Sequence, residues 1–319
     1  MHTPLVSIIV ITYNSAKYVL ETLESAKNQT YQNIELIISD DCSQDNTIDI
    51  CRKWLTENKY RFVNSRLITV EQNTGIPANC NRGVKASNGE WIKLIAGDDY
   101  LSPDSIKIFV EYCEDRKDIK IVAGKMLSVN NNKEILLINP IDKDLIFFSY
   151  DAKKQYKRLL KRSFNFAPAA FIKRQLIEDV GFFDENYKYF EDLPMWLKIC
   201  GGGIKIHYLD QAVVNYRIGE NSMINNRKTF YNLSFMSSYY DFKRKYIFKI
   251  IPYYDIVFYQ SQLIEFINYK VMVNIFDNKR TPIASKFKYF IFLFSFNRYW
   301  YFIKDFFSKA SNLLKTTKS

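Results

Sequence analysis

With 319 residues, 47% of them hydrophobic and 25% charged, the chain has room for a catalytic domain plus a smaller unit and is too apolar to be disordered. Its formal net charge is +11, and nearly all of that excess, with more than half of the aromatic residues, lies beyond Lys228. Five cysteines (Cys42, Cys51, Cys80, Cys113, Cys200), odd in number, widely spaced and without a C-x-x-C pair, argue against a disulfide framework or zinc cluster and suit a reducing cytoplasm.

The start, Met1-His2-Thr3-Pro4, lacks the charged and apolar regions of a signal peptide, so the chain is expected on the cytoplasmic side. Leu5 to Ile11 is an apolar run suited to a central parallel strand buried on both faces. It ends at Thr12-Tyr13-Asn14-Ser15, where Asn14 or Ser15 is expected to cap a helix carrying Val19, Leu20, Leu23 and Ala26 on one face. A second strand, Ile34 to Ser39, runs into Asp40-Asp41, and a helix beginning near Asp45 turns Ile48, Cys51, Trp54 and Leu55 inward. A third strand, Arg66 to Val70, leads through Asn73-Thr74-Gly75 into a helix ending near Ala86. The fourth, Trp91 to Ile95, stops at Ala96-Gly97-Asp98-Asp99. Strand–helix alternation repeated three times predicts an α/β fold, a Rossmann-like, mostly parallel sheet flanked by helices.

No G-x-G-x-x-G and no Walker loop occurs, so a bound nucleotide must be held by side chains at strand ends: Tyr13, Asp41 and the Asp98-Asp99 pair. In open α/β sheets ligands bind at the carboxyl ends of strands. Paired carboxylates there suit Mg²⁺ or Mn²⁺ shared with substrate phosphates, or else a turn capping the helix that begins near Pro103. Further on, Ile119–Ser128 and Lys133–Ile138 read as strands joined by the Asn130-Asn131-Asn132 turn. Asp142–Arg162 carries no assignable role, and His207 reads as a strand residue with a satisfied ring.

The ordered series Val6 to Asn14, Ser39-Asp40-Asp41-Cys42-Ser43-Gln44-Asp45, Asn73-x-Gly75, Asn81-x-Gly83, Gly97-Asp98-Asp99, Gly181-Phe182-Phe183-Asp184, Glu191-Asp192-x-x-x-Trp196 and Tyr216-Arg217 resembles a family-2 glycosyltransferase of the GT-A fold. The resemblance spans roughly Pro4 to Ser222 and implies transfer of a sugar from a nucleotide diphosphate donor, with inversion, to an acceptor hydroxyl. It implies that Thr12, Tyr13, Asn14, Asp41, Asn81, Arg82 and Asp98 face the nucleotide sugar, with Tyr13 on the base and Asp41 on its edge, most often uracil. Asp99 and Asp98 would hold a divalent metal, Mg or Mn, on the diphosphate, and Asp192, helped by Glu191, would take the acceptor's proton. Asp40 reads as structural. By the same analogy the segment Phe164 to Phe171 lines the acceptor side.

Three positions depart from the family's pattern. Ala96 stands where an earlier acid is common, Cys80 where an arginine is usual, and Gly219 where many relatives carry a histidine. Arg82 then has two readings, a phosphate contact or a surface residue, and Arg217 or Lys228 is expected to substitute electrostatically near the metal. These departures also leave open a catalytically silent nucleotide-sugar-binding or scaffold protein of the same fold.

The chain is expected to divide into a catalytic domain, residues 1–225, and a helical, basic-aromatic C-terminal region, residues 226–319. In that region Lys286 to Phe302 interleaves aromatics with Lys and Arg, but its uncharged stretch is far shorter than the ~20 residues of a spanning helix. It fits an in-plane helix on an anionic membrane surface better than simple helical packing. Nucleic acid is the least favoured partner, since no binding motif accompanies the basic aromatics. A peripheral position on the inner face of the cytoplasmic membrane suits a glycan or lipid-linked acceptor, as in bacterial cell-surface polysaccharide synthesis.

Overall fold

The computed structural model describes residues 3–218 and 228–292, in two compact units, Met1–Gly219 and Glu220–Ser319. The first unit begins with β1 (Val6–Thr12), α1 (Val19–Lys27), β2 (Ile34–Asp40), α2 (Thr47–Asn58), β3 (Ser65–Thr69), α3 (Ile76–Lys85) and β4 (Trp91–Ala96). It continues with β5 (Tyr100–Leu101), α4 (Ser105–Glu114), β6 (Ile121–Val129), β7 (Ile135–Asn139), α5 (Asp142–Ser149), α6 (Ala152–Lys161), β8 (Ala170–Lys173), α7 (Arg174–Asp179), α8 (Asp192–Gly201) and β9 (His207–Arg217).

These strands form one sheet in the order β3-β2-β1-β4-β8-β6-β9-β5, with β7 on the side of β6. The long ladders (β1 with β2 and β4, β2 with β3, β6 with β9) are parallel, and the antiparallel ones cover four residue pairs or fewer, as the mostly parallel expectation requires. β1 can be apolar from Ile8 to Ile11 because parallel neighbours flank it on both edges and helices cover it. Trp91, Phe171 and Phe109 stack at 4.7 and 4.8 Å in the core, each burial contributing roughly 1.5–3 kcal/mol.

Two local expectations are corrected. The inward face of α1 is Val19, Thr22, Leu23 and Ala26, whereas Leu20 is 50% exposed, because it lies one residue, about 100°, round the helix from Val19. Nor do Asn14 and Ser15 cap that helix, which starts at Val19. Asn14 sits at φ 52° and exchanges hydrogen bonds with the loop before α2: its NH donates to Ser43 Oγ and its Oδ1 accepts from Gln44 NH. Ser15 NH donates to Thr47 Oγ1.

The second unit contains α9 (Leu233–Phe242), a π-helical turn over Lys243–Ile247, α10 (Phe248–Ile250), α11 (Ile256–Asn274) and α12 (Pro282–Phe292). Phe230, Met272 and Ala284 centre its small core, and Lys243 is buried against Glu265 at 2.9 Å. Among the described residues no helix is long and apolar enough to cross a membrane. α12 exposes Ile283, Phe287 and Phe290 at helical spacing beside Lys286. The remainder of the expected in-plane segment, Leu293 to Phe302, and the Gly219 position lie outside the described residues.

Candidate functional site

The carboxyl ends of β1, β2 and β4 lie side by side, with Thr12 paired to Asp40 and Ile11 to Ala96. Three hydrogen bonds hold them there. Asp41 NH and Asn79 Nδ2 donate to the Thr12 carbonyl at 3.0 and 3.2 Å, and Gly97 NH donates to that of Ile11 at 2.9 Å. A Cβ at Gly97 would stand 2.8 Å from Thr12 Cγ2, so only glycine lets the Asp98-Asp99 loop lie against the end of β1. Asp40 is structural, as expected, accepting from Thr12 Oγ1, Ser43 NH and Ser43 Oγ.

Asp41 is buried and saturated. It accepts from Thr74 NH, Thr74 Oγ1 and Gly75 NH, and Arg82 Nη2 pairs with its Oδ1 at 2.9 Å. Arg82 is therefore not a surface residue. It also donates to Ser39 Oγ, Thr74 Oγ1 and Asn79 Oδ1, so it braces the Asp41 loop from behind. Asn81, expected to face the donor, instead holds the loop before α8: it bonds Phe183 through both backbone groups and Glu185 Oε1 at 2.7 Å. Tyr13 is 51% exposed at the strand end, free for a planar ligand.

Asp98 is exposed and Asp99 is buried to 1%. Asp99 Oδ1 accepts from Arg217 NH at 2.9 Å, while Oδ2 is buried with no hydrogen-bond partner. Such an orphan is costly unless a cation or donor completes it. Burial, then the Asp98 charge, pushes the Asp99 carboxyl well above the usual range. The Asp98 carboxyl is raised as well, by desolvation from the protein packed around it although its surface reaches solvent, with its own backbone NH and Arg217 pulling the other way.

Arg217 does not stand free to substitute for a metal ligand. Its Nε donates to the Asp98 carbonyl, its Nη2 pairs with Glu21, and its guanidinium lies 4.4 Å over Tyr18 and 5.6 Å over Tyr100. It is a bracket for the Asp98-Asp99 loop. Lys133, from the turn between β6 and β7, closes the cluster by pairing with Glu21 at 2.5 Å.

Beneath the loop lies a group that sequence reasoning passed over. Lys93 is fully buried, and the ladder between β4 and β8 stops after two residue pairs just before it. Its ammonium fills the resulting split and donates to the carbonyls of Pro168, Leu94 and Ala170. Burial lowers its pKa to about 7, with Asp99 pulling the other way. The available signal was a lone cation in an apolar strand. Lys93→Met is expected to cost about 2–4 kcal/mol, since three buried carbonyls lose their donor. The unfolded lysine keeps its proton up to about 10.5, so between about pH 7 and 10.5 the unfolded chain binds more protons. Wild-type stability relative to the variant therefore rises with pH across that window, which urea titrations of both proteins would show.

The second acidic pair opens α8. Burial, then the charge of Asp192, lifts Glu191 to about 8, so Glu191 holds a proton at neutral pH. Burial raises Asp192 as well, against the NH of Leu193, which donates to its Oδ1 at 2.7 Å. Burial raises both carboxyls of this pair, and they titrate as one coupled unit at the start of α8. Burial, then the charge of Glu191, raises the Cys80 thiol well above its usual range, so Cys80 is an inert side chain. Trp196 is buried and stacks on Phe166 at 4.9 Å, turning the Phe164–Phe171 segment toward α8. His207 is a strand residue, its pKa lowered by burial. All five cysteines are free.

Known proteins resemble this chain in sequence and in fold. An uncharacterized glycosyltransferase of Rickettsia typhi is 29% identical over 217 residues, 67% of this chain and 63% of its own length. The Escherichia coli UDP-Glc:alpha-D-GlcNAc-diphosphoundecaprenol beta-1,3-glucosyltransferase WfaP is 29% identical over 70% of this chain and 81% of its own. Among solved structures, Staphylococcus aureus TarS 1-349 in complex with UDP-GlcNAc superposes with a TM-score of 0.56 at 21% identity, over 83% of this chain and 81% of that one. The mannosyltransferase PcManGT of Pyrobaculum calidifontis, in complex with GDP-Man and Mn²⁺, gives 0.54 at 20% identity, over 70% and 59%. At these identities the structures show the shared fold. The profile described as Glycosyl transferase family 2 matches residues 7–181, more than half of the sequence, and the chain belongs to that family.

Proposed function

We propose that this glycosyltransferase moves a sugar from a nucleotide diphosphate, a UDP-sugar, to a hydroxyl of a lipid-linked glycan, with inversion, in cell-surface polysaccharide synthesis. The observation that carries this reading is Asp99, whose buried Oδ2 has no partner at the carboxyl end of β4, in one unit with the acidic pair Glu191-Asp192 that opens α8. Asp192 takes the acceptor's proton as the acceptor oxygen bonds the anomeric carbon. The bond to the diphosphate breaks with its electron pair leaving on the phosphate oxygen. Glu191, protonated, donates a hydrogen bond within the acceptor site.

On the donor side Tyr13 stacks on the base, Asp41 meets its edge by giving up part of its loop contacts, and Thr12, Asn14 and Arg82 shape the strand-end cradle. The residues present fit a divalent Mg²⁺ or Mn²⁺, because the buried Asp99 Oδ2 lacks a partner and Asp98 beside it is open. No cluster of three or more His, Cys, Asp or Glu occurs among the described residues, so Asp98 and Asp99 would hold the ion together with donor phosphates. When bound, the ion offsets the charge of the leaving diphosphate. The Mn²⁺ of PcManGT supports the metal, and WfaP, whose name specifies UDP-Glc and a diphosphoundecaprenol acceptor, supports the donor and the acceptor. Residues 226–319, basic and aromatic, would hold the enzyme on an anionic membrane surface.

Calorimetric titration tests the donor side. UDP is expected to bind with Mn²⁺ present and at least about tenfold more weakly in EDTA, about 1.4 kcal/mol, and GDP more weakly than UDP. Binding indifferent to EDTA would remove the metal's role, and a preference for GDP would remove the uracil reading.

A further inference from the structure

Outside the strand-end site, the most one-sided surface in the first unit is α6. Between Ala152 and Arg162 there are six Lys and Arg and no Asp or Glu. Ala152, Gln155, Leu159 and Leu160 are buried, so the cations share the opposite face. Lys153, Lys157 and Lys161 follow one another at four-residue spacing, a row of roughly 12 Å, and Lys154 lies beside it. Arg158 and Arg162 are drawn to the buried Asp144 at 3.5 and 3.6 Å. No carboxylate pairs with Lys153, Lys154 or Lys157 among the described residues.

Internal structure gives these three lysines no partner, and like charges in a row repel one another. The same helix is packed along α8. Gln155 bonds the NH and carbonyl of Ile206 and lies 3.7 Å from Cys200 Sγ, and Tyr156 abuts Gly201. Beyond the far end of α6, Phe166 stacks on Trp196 of α8. The element that carries the row is thus braced against the helix whose first turn holds Glu191 and Asp192.

We infer that the Lys153, Lys154, Lys157 and Lys161 face of α6 docks on the anionic headgroups of a bilayer, setting α8 toward an acceptor anchored in that bilayer. The purpose rests on the lipid-linked acceptor proposed above; the binding does not. Charge complementarity favours this occupant. Nucleic acid would need exposed aromatics for stacking, and the one aromatic of α6, Tyr156, is turned onto Gly201. The row belongs to the first unit, whereas the basic aromatic residues beyond Lys228 belong to the second.

The test is co-sedimentation of the full chain with vesicles containing anionic phosphatidylglycerol, beside purely zwitterionic vesicles. A Lys153→Gln, Lys154→Gln, Lys157→Gln triple variant is expected to bind the anionic vesicles about a hundredfold more weakly, at about fivefold per lysine. The Lys→Arg triple variant should keep wild-type binding, and about 1 M salt should erase the difference. Melting temperature and transfer to a water-soluble acceptor should be unchanged by the glutamines, since the three side chains point away from the core. Equal partition of wild type and the glutamine variant, or equal binding of wild type to zwitterionic vesicles, overturns the inference. So does loss of transfer to the soluble acceptor, which would make the lysines part of the site. Because partition is read on the protein alone, it fails independently of the glycosyl-transfer reading, which donor titration tests.

Discussion

Asp192→Asn is expected to lower kcat by about 10²–10⁴-fold, with donor Kd changed by no more than about twofold. A sugar hydroxyl is a weak nucleophile until its proton is accepted, and asparagine presents nearly the same shape without a basic oxygen. Its Oδ1 still accepts from Leu193 NH, so the first turn of α8 keeps its bond. Glu191, held protonated near neutrality by burial and by the Asp192 charge, is not a ready substitute base. Removing that charge leaves burial, the larger cause, in place, so Glu191 stays raised and residual activity in the variant should rise with pH as it ionises. Wild-type activity should fall on the acid side as Asp192 takes up a proton, its pKa raised by burial. Steady-state kinetics from pH 5 to 9 on both proteins decide the matter. Wild-type turnover in the variant would move the base elsewhere.

Asp99→Asn is expected to cost about 10²–10³-fold in kcat/KM or more, and to abolish the Mn²⁺-dependent part of UDP binding. The same substitution should raise the melting temperature of the ligand-free protein. Asp99 is buried with one oxygen unpartnered, an arrangement that costs about 1–3 kcal/mol. Asparagine keeps the acceptor for Arg217 NH while removing the charge. Opposite signs on stability and activity mark a residue kept for chemistry rather than packing. Loss of both would make Asp99 a structural residue of the Arg217 bracket, and calorimetry with scanning denaturation separates the outcomes.

The strands and helices of the first unit were legible because their signals are local. Mostly apolar runs such as Val6 to Ile11 and Ile34 to Ile38, each interrupted by one buried polar residue (Ser7, Glu35), become parallel strands buried on both faces, and Cys51 and Trp54 recur at helical spacing. The acidic pairs were legible as motifs. Leu20 misled because hydrophobicity was read without its angle on the helix, and Asn14 because a good capping residue can spend its hydrogen bonds on a distant loop.

What only the tertiary structure decided concerns partners far apart in the chain. Asp41 and Arg82 looked like independent donor contacts, but 41 residues apart they form a buried ion pair. Arg217 looked like a spare cation near the metal, yet its NH donates to Asp99 Oδ1 across 118 residues and its guanidinium is consumed by Glu21 and two tyrosine rings. Lys93 drew no reading from the sequence; in the fold the pairing of β8 with β4 ends just before it, and three carbonyls there accept from its ammonium. Which residues carry charge and where strands end follows from local sequence, since side-chain type and backbone periodicity are local properties. Which charges remain available for a substrate depends on desolvation and on hydrogen-bond partners that folding alone brings within 3 Å.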